Sequence, residues 1–168
     1  MMSPDNLAAL ATLVGARLKA QGLMLATAES CTGGWVAQAV TAIAGSSDWF
    51  ERGFVTYSDL AKREMLGVNA ATLARHGAVS EQTAREMADG ALAHSHAQVA
   101  VAITGIAGPA GGSAEKPVGT VCFAWSAKSG APAAQTRLFE GDRESVRRQS
   151  VVFALRGVLE MLESRDPQ

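Results

Sequence analysis

The sequence predicts a single α/β domain in which helices cover a mixed β-sheet. Three observations point there. Short apolar runs alternate early with amphipathic helical patterns, later apolar runs lie close enough to pair as hairpins, and no linker or repeat divides the chain. A chain of 168 residues suits one compact core. Aromatics are only 5% of it, so small and aliphatic side chains must fill that core.

The elements follow in order. Leu7, Leu10, Leu13, Val14 and Leu18 recur at helical spacing, with Asp5 or Asn6 as cap and Gly22 as terminator. Leu23 to Ala28 reads as a buried strand, Thr32 to Ile43 as a helix with Val36, Ala39, Val40 and Ile43 inward, and Phe50 to Tyr57 as a second strand. A short helix is expected from Asp59 to Leu66. Another should follow Ser80 as cap, with Met87 and Leu92 facing in. Val99 to Thr104 is a third buried strand, followed by the glycine-rich loop Gly105 to Gly112. Val118 to Trp125 and Gln135 to Glu140 read as strands, and Asp142 caps a final helix carrying Val146, Val151, Val152, Leu155, Val158, Leu159 and Leu162.

Composition excludes several classes of function. Fifteen basic and sixteen acidic residues form no basic stripe, which argues against a nucleic-acid partner. No apolar segment nears the roughly 20 residues that span a bilayer, and the N-terminus lacks the pattern of a signal peptide. Cys31 and Cys122 match neither a disulfide framework nor a metal pattern. A reducing, cytoplasmic setting with no membrane partner is therefore expected.

Four segments could carry chemistry. Thr27 to Gly34 lies where a strand meets a helix, the place where open α/β sheets bind ligands. Ser30 there is a candidate nucleophile, and helix N–H groups from Thr32 to Gly34 could hold an oxyanion. A serine before a helix is equally an ordinary N-cap. Cys31 is a rival nucleophile, but the segment offers no histidine to make a thiolate. Tyr57 to Lys62 lies at a second strand-to-helix junction. A serine needs a proton acceptor, and a lysine serves when its pKa is lowered. From spacing alone, Lys62 reads better as a solvated lysine beside Arg63 and Glu64. Thr104 to Gly112 could wrap a phosphate or ribose, although it lacks the Gly-Lys-Ser/Thr of a P-loop. The guanidinium groups of Gly141 to Arg148, Arg143 among them, lie near a helix start and could reinforce a phosphate site or could simply belong to a charged first turn.

Other patterns fail. Ser113 to Lys116 has Ser-x-x-Lys spacing but lies in a loop between Gly112 and Pro117, a chance match. Four residues separate Tyr57 from Lys62, one too many for Tyr-x-x-x-Lys, and no dinucleotide fingerprint follows the first strand. No His, Cys and carboxylate cluster has metal-ligand spacing.

Taken together and in order, Ala28-Glu29-Ser30-Cys31-Thr32-Gly33-Gly34, Tyr57-Ser58-Asp59-Leu60-Ala61-Lys62, Ala78-Val79-Ser80, Thr104-Gly105-Ile106-Ala107-Gly108-Pro109, Pro117-Val118-Gly119-Thr120-Val121 and Phe139-Glu140-Gly141-Asp142-Arg143 resemble the CinA C-terminal domain family. The resemblance runs from about Leu7 to Leu162. It implies an α/β/α sandwich that forms homodimers, and a Ser–Lys amidohydrolase that needs no metal or cofactor and deamidates nicotinamide mononucleotide. Ser30 would be the nucleophile, Lys62 the general base and Tyr57 an assisting hydroxyl. Thr104 and Arg143 would hold the nucleotide beside Gly105 and Gly108, while Glu29, Cys31, Thr32, Gly33 and Gly34 would serve the oxyanion or substrate. The larger N-terminal domain that precedes this one in many relatives is not in the sequence, so a stand-alone form is expected. The alternative is a non-catalytic nucleotide- or partner-binding module linked to competence or DNA damage.

Overall fold

The computed structural model describes residues 6–165. Its elements are α1 (Leu7–Ala20), β1 (Leu25–Glu29), α2 (Trp35–Thr41), β2 (Phe50–Val55), α3 (Asp59–Leu66), α4 (Ala70–His76), α5 (Glu81–Ala93), β3 (Val99–Gly105), β4 (Thr120–Ala127), β5 (Ala133–Leu138) and α6 (Arg143–Arg165). The strands form one mixed sheet in the order β2-β1-β3-β4-β5, with β1 parallel to β2 and β3, and the last two strands antiparallel.

Alternation along the strands sorts side chains by size. Leu25, Val99, Val101, Ile103, Val121, Phe123 and Trp125 face one layer, where they bury Val14, Leu18, Val36, Val40, Leu155 and Val158 of α1, α2 and α6. Ala26, Ala28, Ala100, Ala102 and Ala124 face the other, against Ala84, Met87, Ala88 and Ala91 of α5 and Leu66 of α3. The alanine-rich face lets α5 lie close on the sheet. Gly157 does the same for α6, since a Cβ there would collide with the Trp125 ring.

The caps explain where helices begin. Asn6, Ser58 and Ser80 accept N–H bonds from Ala9, Ala61 and Thr83. Asp142 Oδ1 accepts from Ser145 N–H at 2.9 Å. Asp5, the other cap considered for α1, lies outside the described residues.

Several expected boundaries move. The helix expected from Thr32 begins at Trp35, because Gly33 (φ 61°) and Gly34 (φ 106°) take left-handed backbone that a helix cannot continue. The late strands are Thr120–Ala127 and Ala133–Leu138, displaced from the expected ranges by the register of the hairpin they form. Helix α4 was not expected: it buries no residue fully, so no apolar period announces it, and only Asn69 before it and Gly77 after it mark its ends. No helix among the described residues is long and apolar enough to cross a membrane.

The topology also chooses a place for a site. From β1 the chain passes through α2 to β2 on one side, and the path through α5 brings β3 to the other. The strand order thus reverses between β1 and β3, and ligands bind such sheets at the carboxyl ends of the strands flanking that point. Ser30 directly follows β1, and Thr104 and Gly105 end β3.

Candidate active site

Ser30 is held by its backbone. Its N–H donates to Ile103 O at 3.0 Å, which locks the residue after β1 to the end of β3, and its carbonyl accepts from Gly33 N–H at 3.0 Å to close a tight turn. Glu29, 1% exposed, supports that turn from beneath. Its carboxylate accepts from Thr32 Oγ1 at 2.6 Å, from Val36 N–H at 2.9 Å and from Ala37 N–H at 3.1 Å. Glu29 therefore caps the free N–H groups at the start of α2 and ties the helix and the turn after Ser30 into one unit.

Lys62 enters from the first turns of α3. It is 1% exposed, and its Nζ lies 3.0 Å from Ser30 Oγ, 3.1 Å from Thr56 O and 3.2 Å from Tyr57 O. Burial pushes its pKa below the ordinary 10.5, against the opposing pull of Asp59. A neutral amine has two N–H bonds and one lone pair. In the neutral form both N–H bonds can go to the two carbonyls, which only accept, and this leaves the lone pair for Ser30 Oγ. The solvated lysine suggested by its sequence neighbours is thus replaced by a buried amine directed at a hydroxyl.

Around the pair lies a cavity of about 170 Å³, lined by Ser30, Cys31, Tyr57, Lys62, Val79, Thr104, Gly105, Ala107 and Arg143 among others. Two wider grooves between β5 and α6, about 570 and 540 Å³, are lined by no serine, cysteine, lysine or histidine. The Cys31 thiol is pushed up to about 12 by burial, so it stays protonated and is a poor nucleophile.

Other expected site residues take different places. The Tyr57 hydroxyl does not meet Ser30: it accepts from Arg143 Nη2 at 3.2 Å, and it is the Tyr57 carbonyl that lies 3.3 Å from Ser30 Oγ. The phenol ring is 62% exposed at the cavity mouth. Arg143 also donates to Gly108 O at 2.7 Å, so Gly108 anchors the arginine from outside the cavity wall. Thr104 spends its proton on Ala78 O at 2.8 Å, which fixes the segment leading to Val79.

Glu29, Thr32, Gly33 and Gly34 line no part of the cavity and build the turn instead. The N–H groups of Gly33, Trp35, Val36 and Ala37 are consumed by Ser30 O, Thr32 O and the Glu29 carboxylate. Those of Thr32 and Gly34 have no backbone acceptor among the described residues, and that of Cys31 meets its own sulfur.

Ser113 to Lys116 is a loop closed by its own bonds, and Lys116 Nζ donates to His76 O at 2.7 Å, well away from any serine hydroxyl. Among the described residues no three His, Cys, Asp or Glu side chains gather as a metal site.

Comparison with known proteins gives the family. The family model described as CinA C-terminal domain matches residues 7–162. The chain is 57% identical over 154 residues to a protein named nicotinamide-nucleotide amidohydrolase PncC from Escherichia coli K12, covering 92% of this chain and 93% of that one. A protein of the same name from Pseudomonas putida is 48% identical over 157 residues, covering 94% and 98%. Among solved structures, the competence/damage inducible protein CihA from Agrobacterium tumefaciens superposes with a TM-score of 0.90 at 49% identity, covering 97% of this chain and 98% of that one. With that coverage and identity, this chain belongs to the CinA C-terminal domain family.

Proposed function

We propose that the protein is an amidohydrolase that converts nicotinamide mononucleotide to nicotinic acid mononucleotide and ammonia through an acyl-enzyme on Ser30. The observation that carries this reading is the buried Lys62 amine 3.0 Å from Ser30 Oγ, with carbonyls occupying its two other bonding directions. The names of the relatives supply the substrate. The cavity suits a part of it. At about 170 Å³ it falls below the ~300 Å³ at which drug-sized ligand pockets begin. It therefore takes the carboxamide end of the ring and leaves ribose and phosphate at the mouth beside Tyr57 and Arg143.

Ser30 Oγ attacks the carboxamide carbon while its proton passes to Lys62 Nζ. The oxyanion is held by backbone N–H groups of the turn after Ser30, with Cys31 N–H adjoining Ser30 on the cavity wall and those of Thr32 and Gly34 next along the chain. Lys62 returns the proton to the departing nitrogen, and ammonia leaves. Water then attacks the ester and gives a proton to Lys62, which passes it to Ser30 Oγ as the C–Oγ bond breaks, and the acid product leaves as carboxylate with its proton lost to solvent. The pyridinium charge of the substrate makes its carbonyl carbon more electrophilic. No step calls for a metal or cofactor. The family resemblance further supports a homodimer, which sedimentation of the purified chain reads directly, and a cytoplasmic setting.

Ammonia release tests the reading. Nicotinamide mononucleotide should be turned over far faster than free nicotinamide or the dinucleotide; equal rates on free nicotinamide would remove the nucleotide from the assignment. The pH dependence follows from the lysine. Only neutral Lys62 accepts a proton, so kcat/KM should rise with pH through a pKa lying below the ordinary 10.5. Stability moves the same way. The cost of burying the charged amine is fully felt below the folded-state pKa and disappears above the unfolded value, so stability climbs with pH between the two. A rate profile without that acidic limb would rule out the lysine as base.

A further inference from the structure

Arg147 lies one helical turn beyond Arg143 on α6, on the same face. Its side chain reaches away from the cavity mouth to the back of the nucleophile turn. Nε donates to Cys31 O at 3.1 Å and Nη2 to Thr32 O at 3.2 Å, so one guanidinium bridges two successive carbonyls. The same group lies over the Trp35 ring at 5.5 Å, where α2 begins. Gly33 lies beneath the guanidinium, and a Cβ at that position would stand at ordinary contact distance, 3.5 Å, from Nη2. Arg147 lines no part of the cavity that holds Ser30 and Lys62.

We infer that Arg147 is a positioning residue for the amidase reaction: it clamps the Cys31–Thr32 segment from α6 while Glu29 holds it from the sheet. The inference rests on the reading of Ser30 as nucleophile. The turn after Ser30 carries two left-handed glycines and would otherwise be held on one side only. Fixing Cys31 by its carbonyl fixes the residue whose N–H adjoins the reacting oxygen. It also keeps Ser30 Oγ in register with Lys62, and displacements near 1 Å in such arrangements cost about 100-fold in rate. A planar fork with several donors suits this task, whereas an ammonium supplies a single point of charge.

The test uses the full chain with Arg147→Ala and Arg147→Lys, beside wild type and Ser30→Ala, with nicotinamide mononucleotide as substrate. The expected result is a kcat about 100-fold lower in Arg147→Ala, a smaller loss in Arg147→Lys, and KM within about threefold of wild type. Millimolar guanidinium chloride should restore part of the Arg147→Ala rate, while sodium chloride at equal ionic strength should not. A wild-type kcat in either variant overturns the inference, as does a loss confined to KM, which would make Arg147 a substrate contact. Circular dichroism and the thermal midpoint check folding. If Arg147→Ala does not fold, Arg147→Lys decides by the same criteria. Activity in Ser30→Ala would instead remove the nucleophile reading beneath the inference, leaving the two failures distinct.

Discussion

Replacing Ser30 by alanine is expected to lower kcat/KM for the nucleotide by about 10⁴-fold or more while leaving the fold intact. The covalent step has no substitute. The rival nucleophile on the cavity wall, Cys31, has its thiol pushed up to about 12 and remains protonated at working pH. The Oγ bonds lost in the variant are those to Lys62 and to Tyr57 O, and neither holds the backbone. The turn keeps its bonds to Ile103 O, Glu29 and Arg147. The thermal midpoint should therefore stay close to wild type. Cys31→Ala, assayed alongside, should retain most activity. Near-normal turnover in Ser30→Ala, or collapse in Cys31→Ala with folding preserved, would transfer the nucleophile to another group.

Lys62→Arg separates proton transfer from charge. Arginine keeps a positive charge near Ser30 but cannot give up its proton near neutral pH, so it cannot serve as base. Turnover should fall by about 10³-fold or more, with nucleotide affinity largely kept because Lys62 touches the reacting end and not the phosphate. A module that only binds nucleotide would tolerate the change. Guanidinium bulk is awkward in a fully enclosed space, so Lys62→Met provides the second arm. Methionine fills the volume without a charge to desolvate, and the variant should be at least as stable as wild type at neutral pH while equally inactive. Strong activity in either variant would take lysine out of the mechanism. Loss of activity together with loss of nucleotide binding would make Lys62 a substrate contact.

Both expectations concern residues whose motifs are visible in the sequence, yet the two became legible to different degrees. Ser30 stands beside two glycines at a strand-to-helix junction, a local signal carried by eight consecutive residues. The caps Asn6, Ser58, Ser80 and Asp142 are equally local, and each helix starts beside its cap. Lys62 is another matter. Its neighbours Arg63 and Glu64 are exposed surface residues, and spacing alone makes it one of them. Its burial depends on Ser30, 32 residues away, and on the carbonyls that end β2.

The roles within the motif were likewise decided in space. Glu29 looks like a substrate contact when read along the chain, but it is enclosed under α2, where the only donors it can reach are helix N–H groups and Thr32. Tyr57 suggests a working hydroxyl, but the chain turns so that its carbonyl faces the site and its ring faces solvent. Arg147 belongs to the Gly141 to Arg148 segment whose guanidinium groups suggest a phosphate site in the sequence, but it lies against the Cys31 and Thr32 carbonyls instead, because nothing in a helix arginine tells which loop will lie against it.

The sequence by itself therefore determined the α/β class, the caps Asn6, Ser80 and Asp142, the position of the turn after Ser30 and the family resemblance. These depend on hydrophobic period, capping side chains and left-handed glycines, interactions that span a few residues. Only the tertiary structure decided that Lys62 is a desolvated amine, that Glu29 is a cap and that Arg147 grips the turn. The physical reason is that desolvation and hydrogen-bond partnership belong to the surroundings of a side chain. Here those surroundings are assembled by strand order and by the crossing of α3 and α6 over the carboxyl ends of β1 and β3.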